Sequence, residues 1–393
     1  MLNSKKIKCP VCKLTSKFIF FSSGYQPTNE NVLYKNRNSA LKSNIGEVTA
    51  YYCTKCFYAF NSSFDIDLVD YGKNYQYTLP PTPTHKNLQQ KIINIALQKY
   101  KIKNKIVLEI GCGKGEFLKQ LCIDGNNTGY GFDTSYTGRK CIKEPQLYFY
   151  KSFFEPKNFR KKVDFIFARQ VLEHLPNPSK LLEQMVKNLK NFDSTIYIEV
   201  PNLSWIIKNV TIWDFYYEHC SYLTIDFFRK KFYELGLKNI HTCYLYDGQY
   251  IGIFANRINN SVKKKQNIKK NKFENKINIF KIKSEKKLSK IKNFCIKMTK
   301  EGNWAAWGGA AKGVTFTNLF KNYLNEDFFL IDINPVRQNR YVPCTGHKII
   351  SPKIINKYNP HTILVMNSVY FKEIKAYLKK KKFKTRLINI EDF

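Results

Sequence analysis

One stretch constrains the fold of this chain more than any other. Val107-Leu-Glu-Ile-Gly-Cys-Gly-Lys-Gly-Glu-Phe-Leu118 is a short apolar run carrying an acid, Glu109, that opens into a glycine loop and then a helical pattern. Gly111, Gly113 and Gly115 permit positive φ and close backbone approach where a parallel strand turns into a helix, the place where open α/β sheets take ligands. The spacing is G-x-G-x-G, whereas the dinucleotide fingerprint is G-x-G-x-x-G, which makes a nicotinamide dinucleotide the weaker reading. About 20 residues further on, Gly129-Tyr-Gly-Phe-Asp133 reads as a second strand ending in an acid placed to hold ribose hydroxyls.

At 393 residues the chain has room for two or three domains. No apolar run approaches the roughly 20 residues that cross a bilayer, and Met1-Leu-Asn-Ser-Lys-Lys-Ile-Lys-Cys9 lacks the hydrophobic segment of a secretion signal. A cytoplasmic protein with no membrane partner, monomeric or weakly dimeric, is expected. The net charge of +36 raises a nucleic-acid reading, since such a field attracts polyanions over long range. Its even spread argues against one. Lysine accompanies abundant Ile, Asn, Phe and Tyr, the bias of an AT-rich coding sequence, although a phosphorylated small substrate would still benefit from the field.

Of eleven cysteines only four have motif spacing: Cys9-Pro-Val-Cys12 and Cys53-Thr-Lys-Cys56. Two such knuckles can supply four thiolates to a tetrahedral structural zinc, which would stabilise a module of residues 1–70 too small for a good core and leave no open position for catalysis. The gap between the pairs exceeds the usual 15–20 residues or so, which requires an inserted loop around Gly24 to Gly46.

Residues 71–100 pass from a Tyr/Pro-rich linker containing Tyr75 and Tyr77 into a helical pattern with Leu88, Ile92, Ile95 and Leu97. From 101 to 258 strand-like runs alternate with helical ones: 106–110, 129–132, 147–150, 165–168, 196–200 and 250–255, which argues for a doubly wound sheet. Residues 259–300 are rich in Lys and Asn, with Phe273, Ile277, Phe280, Leu288, Ile291 and Phe294 spaced as one helical face, and read as a helical connection. Residues 301–393 repeat the α/β pattern: Trp304–Trp307, the loop Gly308–Gly313, 328–332 and 363–366 suggest a second nucleotide-binding type of half-fold. Fold alone does not make that loop a cofactor site.

Glu109 with its glycine loop resembles the first motif of class I S-adenosylmethionine (SAM) methyltransferases. The four ribbon cysteines, Glu199-Val-Pro-Asn202, Tyr216-Tyr-Glu-His-Cys-Ser-Tyr222, the Gly308–Gly313 loop, Asp332-Ile-Asn-Pro335 and Pro343-Cys-Thr-Gly-His-Lys-Ile-Ile-Ser-Pro352 widen the resemblance to the sugar C-methyltransferase family over essentially the whole chain. That family implies a zinc-binding module, a class I SAM-binding domain of Rossmann-like α/β fold, and a C-terminal Rossmann-like domain. It also implies methylation of the carbon beside the ketone of a nucleotide-linked deoxysugar.

The residue types suit that chemistry. Attack on the SAM methyl group by carbon needs a carbanion equivalent, hence a base and an oxyanion partner. His219 can be the base, a role worth roughly 10²–10⁴-fold. Glu218 can orient a sugar hydroxyl or set the polarity around the imidazole, and a tyrosine, from Tyr216, Tyr222, Tyr75 or Tyr77, can donate to the developing enolate oxygen. The family usually carries serines after its N-terminal aromatic pair, where this chain reads Tyr75-Gln-Tyr77-Thr-Leu-Pro. Arg169-Gln-Val-Leu-Glu-His174 follows the fourth strand and resembles the segment lining the cofactor pocket. Ser152 and Phe153 resemble residues flanking the adenine, and Glu109, Gly111, Gly113, Gly115 and Asp133 those that bind SAM.

Duller readings stand beside these. His219 can be a satisfied structural histidine, most of 26 tyrosines are packing residues, Lys312 can meet a substrate phosphate or be one more surface lysine, and Cys112 is a small buried filler. A sugar O- or N-methyltransferase would need no carbon acid. A non-catalytic nucleotide-sugar or nucleic-acid binding protein would bind polyanions with steep salt dependence and have no affinity for SAM.

Overall fold

A computed structural model describes residues 7–16, 18–70, 82–190, 193–257 and 273–393 of the chain, and its described strands form four sheets. The largest has the spatial order Leu237–Leu245, Tyr250–Arg257, Thr195–Pro201, Phe165–Arg169, Ile106–Ile110, Thr128–Phe132, Leu147–Tyr150, Cys141–Ile142. The five strands from Thr195–Pro201 to Leu147–Tyr150 run parallel, and Tyr250–Arg257 lies antiparallel to Thr195–Pro201. Parallel strands covered on both faces read as near-continuous apolar runs. Phe165-Ile-Phe-Ala168 is such a run and every one of its side chains is buried. Helices Pro83–Gln98 and Glu116–Gly125 cover one face through Ile92, Ile93, Leu118 and Leu121, and Pro178–Asn188 and Ile225–Glu234 cover the other through Leu182, Met185, Phe228 and Phe232.

Two strands of this sheet escaped the sequence pattern. Leu237–Leu245 is the outermost strand, half polar and broken by a bulge between Lys238 and His241, so it shows no clean period. Cys141–Ile142 is only two residues long.

Near the N-terminus, Ile7–Lys8 pairs with Thr15–Ser16, and Phe18–Pro27, Ile45–Cys53 and Tyr58–Asn61 form an antiparallel sheet. The segment from Gly24 to Gly46, expected as an inserted loop, instead begins and ends in paired strands, with helix Arg37–Leu41 between them. Gly46 sits in a strand for a packing reason: a Cβ there would collide with the ring of Tyr217. The fourth strand of this sheet is Ser221–Tyr222, from 160 residues further along the chain.

Helix Phe273–Glu301 then ties the regions together. Phe280 meets Phe20 and Phe21 at ring distances of 5.8 and 5.9 Å, and Phe294 meets Trp304 at 5.6 Å. Residues 259–272 of the expected connection lie outside the described residues. The last sheet has the order Arg340–Tyr341, Lys348–Ile350, Phe329–Ile331, Trp304–Trp307, Thr362–Val365, Arg386–Asn389, all parallel but the first. Trp213 and Trp304 are fully buried in a core shared by the N-terminal sheet, residues 203–222, the long helix and the last sheet. Truncating either to alanine is expected to cost about 3–5 kcal/mol.

Candidate active site

Ligands of open α/β sheets bind outside the carboxyl ends of the strands, where the strand order reverses. In the large sheet that point lies between Ile106–Ile110 and Phe165–Arg169. The first strand ends in Gly111, Gly113 and Gly115, all at positive φ (72°, 55° and 77°), and a Cβ at Gly111 would collide with Val171. The Gly113 N–H donates to Asp133 Oδ2 at 2.8 Å, and Ser135 N–H to Oδ1 at 2.8 Å, so the second strand's acid shapes the loop it faces. A carboxylate has about four acceptor positions, which leaves Asp133 capacity for a ribose.

Glu109 lies beneath the loop, 2% exposed, with Oε2 lacking a hydrogen-bond partner. Burial pushes its pKa up to about 8, although Arg169 opposes the shift. Arg169 itself is held by Glu199, with Nε to Oε2 at 3.1 Å, and stacks over Phe117 at 4.1 Å. Its charge is therefore committed to Glu199 inside the protein. Ser152 and Phe153 are exposed, Phe153 at 75%.

The segment carrying His219 is held from three sides. Ser221–Tyr222 extends the N-terminal sheet, Tyr222 Oη donates to the Tyr216 carbonyl at 3.0 Å, and the Tyr217 N–H donates to Glu30 Oε1 at 2.9 Å. The Asn31 N–H meets Glu218 Oε1 at 3.3 Å, and Arg337, from the last sheet's loop, donates to Asn31 Oδ1 at 3.1 Å. Glu30 and Glu218 face each other in the interior, and burial followed by the Glu218 charge drives the Glu30 pKa well up. From the C-terminal glycine loop, Lys312 reaches Asp214 at 2.8 Å, and Tyr216 Oη donates to the same Oδ1 at 2.8 Å.

His219 thus sits among His174, with ring centroids 4.9 Å apart, and Tyr216, at 4.7 Å. Burial, then His174 and Lys312, hold its pKa well below the usual histidine value, so the ring is neutral with a lone pair to offer. His174 is also neutral: burial lowers it to about 4, and its Nδ1–H donates to the Glu218 carbonyl at 3.1 Å. Tyr216 and Tyr222 each have one hydroxyl proton, and each gives it to a protein acceptor. Tyr75 and Tyr77 lie outside the described residues.

The sequence patterns missed Glu30, Asn31, Asp214 and Arg337. Asp214 was within reach, two residues before Tyr216. Glu30 and Arg337 had no local signal, because their partners lie 187 and 306 residues away. Lys312 is half of a largely buried ion pair with Asp214 rather than one more surface lysine.

The four N-terminal cysteines come together. Cys9 and Cys56 sulfurs are 3.9 Å apart, Cys12 and Cys53 3.6 Å, and all four lie within 4.8 Å of one another. Bonds of about 2.3 Å to a tetrahedral metal ion give sulfur separations of about 3.8 Å, so this donor set fits one. Both knuckles close alike: Lys13 and Phe57, each just past the second cysteine, have φ of 61° and donate to the Cys9 and Cys53 carbonyls.

Residues 84–242 match the model of a methyltransferase domain, and residues 254–388 that of a C-methyltransferase C-terminal domain. No curated protein matches the chain in sequence. Among solved structures, the CurJ carbon methyltransferase is similar at 14% identity and TM-score 0.36, covering 46% of this chain and 56% of its own. Magnesium protoporphyrin IX methyltransferase (ChlM) from Synechocystis PCC 6803, with SAH bound, is similar at 14% identity and TM-score 0.35, covering 44% and 84%. The plantazolicin methyltransferase BpumL with SAH gives 18% identity and TM-score 0.35, covering 46% and 86%. The chain thus spans just over half of the first of these relatives. By these two matches residues 84–242 are a methyltransferase domain, with the glycine loop at its sheet's switch point, and residues 254–388 are a C-methyltransferase C-terminal domain.

Proposed function

We propose that this protein transfers the methyl group of SAM to a carbon beside the ketone of a nucleotide-linked keto-deoxysugar. The observation that carries the reading is His219: a half-buried, neutral imidazole where the methyltransferase sheet, the N-terminal sheet and the C-methyltransferase domain meet. Glu109, the loop Gly111 to Gly115 and Asp133 fit SAM, whose α-ammonium suits the unpartnered Glu109 Oε2 and whose ribose suits Asp133. When bound, SAM supplies an electrophilic methyl on a sulfonium.

His219 takes the proton from the carbon beside the ketone and leaves an enolate. Lys312, whose charge is felt at His219, favours negative charge there. Tyr216 and Tyr222 position the turn, since their protons are committed, and the donor to the enolate oxygen falls to Tyr75 or Tyr77. Glu218 receives a sugar hydroxyl. His174 and Arg169 line the cofactor side. Zinc on Cys9, Cys12, Cys53 and Cys56 holds the module of residues 1–70 that carries Glu30 and Asn31 to the site. Residues 71–100 link it to a SAM-binding domain at 101–258, and a connection at 259–300 leads to the C-terminal domain at 301–393.

The test is the fate of the methyl group. SAM labelled with carbon-13 at the methyl, incubated with a 4-keto-6-deoxy nucleotide sugar, is expected to yield a product whose labelled carbon couples directly to a sugar carbon by NMR. A methyl attached to oxygen or nitrogen would replace this reading with O- or N-methylation.

A further inference from the structure

The catalytic segment brings together a donor set that general-base chemistry does not use in full. Glu173, His174 and His219 place one oxygen and two ring nitrogens within 4.8 Å of one another. Glu173 is 2% exposed and its Oε2 has no hydrogen-bond partner, an unusual cost for a buried carboxyl. His174 donates through Nδ1 to the Glu218 carbonyl, the outer bond that fixes a ligating histidine's tautomer and leaves the lone pair on Nε2. No hydrogen bond to the His219 ring occurs among the described residues. Two imidazoles and one carboxyl group, whose pKa burial raises to about 8 so that a bound ion must displace its proton, are a donor set for a first-row divalent transition ion, chemically unlike the four thiolates of the N-terminal module.

We propose that Glu173, His174 and His219 form a second metal site, for a divalent transition ion such as Zn²⁺ or Co²⁺. Occupancy of this site and proton abstraction exclude each other at His219. The exclusion follows from electron pairs: the lone pair that takes the carbon-bound proton is the one a metal would share, so a bound ion blocks the base. The site stands on its own geometry, whereas the exclusion rests on the base reading above. Metal occupancy would thereby act as a reversible inhibitor of the transferase.

The experiment titrates Co²⁺ into the full chain with its four-cysteine site already filled by zinc. Bound metal is followed by visible absorption, and hydrogen–deuterium exchange at the carbon beside the ketone by NMR. One further equivalent is expected, showing weak ligand-field bands without the intense thiolate-to-cobalt absorption, with carbon-bound exchange falling as the site fills. Glu173→Gln and His174→Gln are each expected to weaken Co²⁺ binding by at least ~10-fold. SAM affinity of Glu173→Gln, measured separately, reports whether that variant keeps its fold. Absence of a second equivalent, or binding indifferent to both substitutions in folded protein, overturns the site. Exchange that rises with cobalt overturns the exclusion and removes His219 as the base, while a site that fills normally in a protein with no exchange at all supports the site and counts only against the proposed function.

Discussion

The chain builds the strand, glycine loop and helix twice, and the two copies do opposite things. In both, an acid ending the next strand accepts a loop N–H: Asp133 from Gly113 at 2.8 Å and Asp332 from Gly309 at 2.9 Å. In both, that acid's other oxygen accepts the N–H two residues on, from Ser135 and Asn334. The first loop follows Glu109, a buried acid with an unpartnered oxygen, while the corresponding place before Gly308 is Ala306. The second loop is closed. Arg337 donates to the Gly309 carbonyl at 3.4 Å, and Lys312 is tied to Asp214 of the methyltransferase region. On the proposed function, the same local grammar gives a ligand cradle where a buried acid keeps an unpartnered oxygen, and a joint between sheets where Arg337 and Lys312 are bound.

Breaking the joint is expected to have the largest effect. Asp214 and Lys312 side chains are 10% and 16% exposed, so Asp214→Asn or Lys312→Met leaves a nearly buried charge alone and should cost about 3–5 kcal/mol by denaturant unfolding. The double substitution should recover most of that loss, and SAM binding should survive in every folded variant. A single variant of undiminished stability would sink the joint.

Next comes the cradle. Gly111→Ala adds roughly 1–2 kcal/mol of left-handed strain and about 1–3 kcal/mol of collision with Val171, together at least about 30-fold in SAM affinity by calorimetry. Gly309→Ala should leave that affinity within about twofold, because a Cβ there meets Ile349 at 3.0 Å in the loop that Arg337 and Lys312 close. Equal losses in both variants would erase the contrast.

Glu109 sharpens the difference through pH. Its folded pKa of about 8 leaves it mostly protonated at pH 7, and cationic SAM favours the carboxylate. Binding should release a proton below pH 8, and affinity should rise by up to about tenfold from pH 7 to 9. Glu109→Gln should flatten the dependence; a profile that falls with pH would contradict the role of Glu109.

The smallest effect is Tyr222→Phe, which removes one hydrogen bond to the Tyr216 carbonyl and should cost about 1 kcal/mol of stability. A much larger loss of turnover than of stability would return Tyr222 to direct chemistry.

Local grammar was legible in the sequence. The strand, loop and acid patterns located both glycine loops, and the paired knuckles located the four cysteines, because each is written within a few residues. What the pattern could not give is the site's far side. Glu30, Asn31 and Arg337 act across 187 residues or more, and Ser221–Tyr222 becomes the edge of a sheet whose other strands end at Asn61. Leu237–Leu245 hid for the opposite reason: as the outermost, bulged strand it needs no apolar period.

The central claim is that His219 makes a carbanion. A 4-keto-6-deoxy nucleotide sugar incubated with the protein in heavy water, with no metal added, should exchange hydrogen at a carbon beside the ketone. His219→Asn should abolish that exchange while SAM still binds, and adding SAM to the unaltered protein should replace exchange by methyl transfer. Exchange that persists in His219→Asn, or methyl transfer from a protein that never exchanges that hydrogen, would contradict it.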